Sequence, residues 1–178
     1  MKKKGVITED KKPEAKPERQ KSKDPMFVGL DPSYNSFGLI VIDQEGKIVE
    51  QKLLISDTKD EAEDRIISLE KEFDFIPKIL GLQSVYMEGP SYSSDGAFIL
   101  QMGALHYYLR IFFRKKNIDY NIIAPGTLKK FITDDGRAKK DLILLKTYKK
   151  WGVEFDVHDL ADAYGLARMA LHDYKNPQ

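Results

Sequence analysis

The chain is expected to fold as an α/β domain with a mixed five-stranded sheet flanked by helices. Three features of the sequence predict this. Three β-branched apolar runs precede any helical pattern, two short apolar runs then alternate with helical stretches, and three helical patterns close the chain. This order implies three antiparallel strands followed by parallel ones.

The first strand is Met26 to Asp31, the second Gly38 to Asp43 and the third Lys47 to Ile55, with Gln44-Glu45-Gly46 as a hairpin turn. Ser56 or Asp57 is placed to cap a helix whose apolar residues Ile66, Leu69, Phe73, Ile76 and Leu80 recur every three or four positions. Pro77 should kink or restart it. A short strand, Ser84 to Met87, leads through a Ser/Gly loop to an apolar helix from Ala97 to Arg114. Ile118 to Ile123 reads as the last strand, and Pro125 opens a short helix through Phe131. After the loop at residues 133–137, a basic amphipathic helix runs from about Lys139 to Trp151 and a final one from about His158 to His172. Residues 1–25 are Lys, Glu, Pro and Ser with few apolar groups, a composition of disordered tails, so the folded domain is expected over 26–178.

With no cysteine among 178 residues, disulfides and thiolate metal sites are excluded, and any metal must take oxygen or imidazole ligands. No apolar run approaches the roughly 20 residues that span a bilayer, and no apolar leader opens the chain, so a cytoplasmic location is expected. The net charge of +1 hides a strong asymmetry. Residues 110–150 carry twelve Lys/Arg against four Asp/Glu and residues 1–25 nine against five, which leaves eight basic and nineteen acidic residues elsewhere. A basic surface beside an acidic pocket suits a protein that grips a phosphate backbone and holds cations against it.

Four of those acids fall where strands end or helices begin. Asp31 closes the first strand, Glu88 the fourth, and Asp159 and Asp162 share a face at the start of the last helix. Carboxylates without thiols point to magnesium or manganese. Two such ions about 4 Å apart can drive hydrolysis of a phosphodiester without a covalent enzyme intermediate. Lys129, Lys130, Arg137, Lys139 and Lys140 are candidate phosphate contacts, and Tyr92, in the loop after Glu88, is placed to stack on an unpaired base. His158 is a candidate proton-handling group or a plain helix-terminal residue, whereas His106 and the stripe Phe98, Leu105, Tyr108 and Phe112 read as packing.

The turn Asp31-Pro32-Ser33-Tyr34-Asn35-Ser36-Phe37-Gly38, the isolated Glu88, the closing Asp159-Leu160-Ala161-Asp162-Ala163 and the basic stretch from Ala124 to Asp141 together resemble the RuvC-type Holliday junction resolvases, in their divergent, phage-type branch. The likeness runs from about Phe27 to Leu171 in motif order. It implies an RNase H-like fold, with Asp31, Glu88, Asp159 and Asp162 as catalytic ligands of two Mg2+ or Mn2+ ions. It further implies a homodimer that nicks four-way DNA junctions symmetrically, leaving 5′-phosphate and 3′-hydroxyl ends, in a bacterial host cytoplasm if phage-encoded. Three alternatives are an RNase H-like nuclease for flaps, forks or RNA–DNA hybrids, a catalytically silent branched-DNA binding module, and an actin-like ATP-binding protein. The last needs two copies of the domain, for which the chain is too short.

Overall fold

Side-chain alternation along the first strand divides the molecule into two apolar layers. β1 (Met26–Asp31) sends Phe27 to one side and Val28 and Leu30 to the other. The computed structural model describes residues 24–57, 59–90 and 96–177. β1 is followed by β2 (Ser36–Ile42), β3 (Ile48–Ile55), α1 (Ala62–Phe73), a 3-10 turn (Ile76–Lys78), β4 (Leu82–Glu88), α2 (Gly96–Lys115), β5 (Tyr120–Ile123), α3 (Pro125–Thr133), α4 (Lys140–Trp151) and α5 (His158–Lys175). The sheet order is β3-β2-β1-β4-β5, with β1 to β3 antiparallel, β4 parallel to β1 and β5 parallel to β4. This is the mixed sheet that the sequence predicts. Among the described residues no helix is long and apolar enough to cross a membrane.

One layer packs α1 and α2 on the sheet through Leu69, Phe73, Leu105, Leu109 and Phe113. The other holds α3, α4 and α5. Within it, α5 is enclosed almost all round, because the sheet lies on one side and α3 and α4 on the other. Ala161, Ala163, Tyr164, Gly165, Leu166, Ala167 and Ala170 are all buried. Small residues let this helix lie very close to the strands. A methyl group added at Gly29 of β1 would stand 1.9 Å from the Ala163 carbonyl oxygen, and one at Gly38 of β2 2.2 Å from that of Asp159. Neither position has room for any side chain.

Local departures from the sequence pattern have physical reasons. Neither Ser56 nor Asp57 caps α1, which starts at Ala62 after Glu61 without a side-chain cap. Ser56 instead donates its hydroxyl to the Tyr34 carbonyl and accepts a 3.0 Å bond from Arg65 Nε. Leu80 is 89% exposed, since Pro77 restarts the chain as a 3-10 turn and ends the helical period before it. β4 is longer than expected, and β5 starts only at Tyr120 because Asn117 takes a left-handed conformation (φ 54°) that turns the chain out of α2. Residues 1–23 and the loop 91–95, with Tyr92, lie outside the described residues.

Candidate active site

β1 and β4 are parallel neighbours, with Leu30 opposite Met87, so the next residues along, Asp31 and Glu88, lie side by side at the strand ends. By alternation both face the α5 layer, as Phe27 and Tyr86 do. The two carboxyl groups hydrogen-bond each other. Asp159 and Asp162 approach from the first turns of α5. Gly38 pairs with Asp31 across β1 and β2, and it is over Gly38 that the backbone of Asp159 passes. The bare glycine is therefore what lets the helix start beside the first carboxylate.

Four half-buried acids in one place repel each other. Asp31 is held well above the ordinary carboxylate range, first by burial and then by the charges of Glu88 and Asp162. Burial also raises Glu88, against the hydrogen bond from Asp31 and the charges of Lys129 and Lys140, which pull it down. Asp162 is pushed up to about 7, by burial and then by Glu88 and Asp159, again opposed by Lys129 and Lys140. Proton uptake or a counter-cation would relieve that repulsion. Among the described residues no group of three or more acids or histidines is placed to hold a metal ion as it stands.

Raised carboxyl pKa values mean that the folded state binds protons more tightly than the unfolded one, so this cluster costs stability as pH rises from about 4 through about 7. Metal-free protein should therefore lose several degrees of Tm between pH 5 and pH 8, with Asp162 contributing about 2 kcal/mol after allowance for solvent screening. Adding Mg2+ or Mn2+ should restore most of it at pH 8 and little at pH 5. Calorimetry checks this, and a metal-induced shift equal at both pH values would contradict it.

Of the candidate phosphate contacts, Lys129 and Lys140 lie near enough for their charges to act on Glu88 and Asp162. Arg137 and Lys139 are exposed in the segment leading into α4. Lys130 is different: it faces a separate groove near the far end of α5. His158 lies with Nε2 3.9 Å from an Asp141 carboxylate oxygen and with a buried Nδ1 that has no protein partner. His106 is buried in α2, where burial and then the charge of Arg110 lower its pKa to about 4, keeping it neutral.

The sequence reading missed Arg65. Its Nη2 donates to the Tyr34 carbonyl at 2.7 Å and to Asn35 Oδ1 at 2.6 Å, and its guanidinium lies 5.1 Å from the Tyr34 ring centre. It thereby ties the turn after Asp31 to α1. The available signal was its position four residues before Leu69 and eight before Phe73, on the buried stripe of the helix.

No family model matches the chain, and no curated protein sequence matches it. Solved structures do. Thermus thermophilus RuvC superposes with a TM-score of 0.71 at 17% identity, covering 84% of this chain and 96% of that one. The chain has the RuvC fold. T. thermophilus RuvC in complex with a Holliday junction substrate gives a TM-score of 0.72 at 15% identity, over 85% of this chain and 96% of that one. The yeast mitochondrial Holliday junction resolvase gives 0.53 at 17%, over 84% and 81%. This shared fold agrees with the one that the resemblance to RuvC-type resolvases implies.

Proposed function

We propose that this protein is a divalent-metal-dependent endonuclease that resolves four-way DNA junctions. The observation that carries the reading is the convergence of Asp31, Glu88, Asp159 and Asp162 under Lys129 and Lys140, in a fold shared with a RuvC solved on a Holliday junction substrate.

The donor set fits hard divalent ions. Mg2+ and Mn2+ prefer oxygen ligands, and Mg2+ usually keeps several waters while binding one or two carboxylates plus substrate phosphate. Two such ions, when bound, supply Lewis-acid charge and an activated water for in-line hydrolysis that leaves 5′-phosphate and 3′-hydroxyl ends. The chain's own residues do the rest. Asp31 and Glu88 hold one side of the pocket from rigid strand ends, Asp159 and Asp162 the other from α5, and Lys129 and Lys140 draw the scissile strand to the mouth and offset its charge.

Lys129→Ala together with Lys140→Ala should weaken junction binding about tenfold or more and reduce the slope of log affinity against log salt by about two. Filter binding across a salt series measures both, and an unchanged slope would remove these lysines from the contact set.

Paired nicks across a junction need two active sites, so the reading includes a homodimer. Leu100, Tyr107 and Ile111 of α2 are 76%, 63% and 51% exposed and fall on one helical face, an apolar stripe suited to a second copy. A sedimentation profile that stays monomeric under conditions of symmetric nicking would remove the dimer.

The deciding experiment is cleavage of end-labelled four-way junction, fork, flap, duplex and RNA–DNA hybrid with Mg2+, Mn2+ or EDTA. Symmetric metal-dependent nicks in the junction are expected. Preference for fork, flap or hybrid would keep the nuclease and change its substrate, and tight binding without cleavage would leave a binding module.

A further inference from the structure

Near the far end of α5 from the acids, α3, α4 and α5 enclose a groove of about 480 Å³, room for one or two nucleotides. Four cations line it, Lys130, Lys150, Arg168 and Lys175, against a single carboxylate, Asp134. Among the described residues none of the four cations forms an ion pair. Lys150 and Lys175 donate to the carbonyl oxygens of Phe131 and Gln44, and Arg168 to the Tyr164 hydroxyl, partners that leave their positive charge uncompensated. The groove is also aromatic. Trp151 and Phe131 lie with ring centres 6.0 Å apart, and the charged ends of Arg168 and Lys150 sit 5.2 and 5.1 Å from the Trp151 ring.

Cations capping helix C-termini explain part of this arrangement, since Lys150 closes the end of α3. They do not explain why four gather around partly open indole and phenyl rings. Phosphates need the cations and a flat apolar body needs the rings, and a nucleotide offers both. Bases within a duplex cannot reach rings recessed in a groove, whereas those of an unpaired strand can.

We infer that this groove is a second nucleic-acid site, which binds a single-stranded DNA segment by stacking a base on Trp151 and Phe131 and pairing its phosphates with Lys130, Arg168 and Lys175. At about 1.5 Å of rise per residue, Arg168 lies about 9 Å and Lys175 about 20 Å along the helix from Asp162. A strand unpaired near the pocket reaches the groove within a few nucleotides. The inference rests on the DNA reading above but not on its catalytic half.

Trp151 is the only tryptophan of the chain, so its emission reports on the groove directly. The test is a titration of full-length protein in EDTA with a twelve-residue oligothymidylate, a duplex of the same length and thymidine monophosphate. Saturable quenching by the single strand is expected, at least tenfold tighter than by the duplex or the mononucleotide. Lys130→Ala with Arg168→Gln should weaken it at least tenfold, and Lys129→Ala with Lys140→Ala less than threefold. Lys130→Ala with Lys175→Ala should weaken it similarly, and leaves Arg168 packed on the indole. An unresponsive indole, equal binding of mononucleotide or duplex, or equal weakening by the groove and pocket-mouth variants would each overturn the proposal. Since no metal is present, a silent tryptophan in a protein that cleaves junctions would refute the groove alone.

Discussion

Replacing Asp31 by Asn should lower junction cleavage by at least about a thousandfold, the effect of losing about 4 kcal/mol of transition-state stabilisation, while leaving junction affinity within a fewfold of wild type. The same substitution should raise the thermal stability of the metal-free protein at pH 8. Asp31 is held well above the usual carboxylate range by burial and by Glu88 and Asp162, so removing its charge relieves repulsion that a bound proton or a cation otherwise offsets. A purely structural aspartate would behave in the opposite way, losing stability and keeping activity. Single-turnover cleavage and a thermal melt of the same preparation separate the two cases, and cleavage within tenfold of wild type would remove Asp31 from the metal-binding set.

Gly29→Ala is expected to be the most damaging single methyl in the protein. The added carbon would meet the Ala163 carbonyl oxygen at 1.9 Å and the Ala167 amide nitrogen at 2.6 Å, both on backbone that cannot rotate aside. Overpacking of this kind costs about 3 kcal/mol or more, or roughly 10 °C in Tm for a domain of this size. Moving α5 away from β1 should also separate Asp159 and Asp162 from Asp31 and Glu88, so cleavage should fall by more than the folded fraction does. Circular dichroism melts beside cleavage at 20 °C test both parts. A variant with wild-type Tm would mean that α5 does not lie against the sheet as described.

Much of this arrangement is legible in the chain. The apolar runs around Asp31 and before Glu88 mark strand ends, and the three-residue spacing of Asp159 and Asp162 marks a shared helical face, because both signals depend only on local periodicity. Other features depend on what comes near from elsewhere in the chain. Nothing local to Gly29 or Gly38 announces that a helix more than a hundred residues later will press on them. Lys129 and Lys130 are adjacent and chemically alike, yet one faces the acids and the other the aromatic groove, since successive helical residues point about 100° apart. Arg65 falls on the buried stripe of its helix, but its partner shows only once that helix is docked and the carbonyl of Tyr34 is found beside it.

Enclosure of α5 on nearly all sides has a consequence for where the molecule can breathe. Its amides should exchange with solvent only through global opening, together with those of β1 and β4, so the acidic pocket belongs to the most protected cooperative unit of the fold. Lys129 and Lys140 sit on the short outer helices α3 and α4, which can open locally at lower cost. On the proposed reading, hold on the strand and chemistry on the strand would be mounted on units of unequal rigidity, and a product could be let go by a fluctuation that never disturbs the carboxylates.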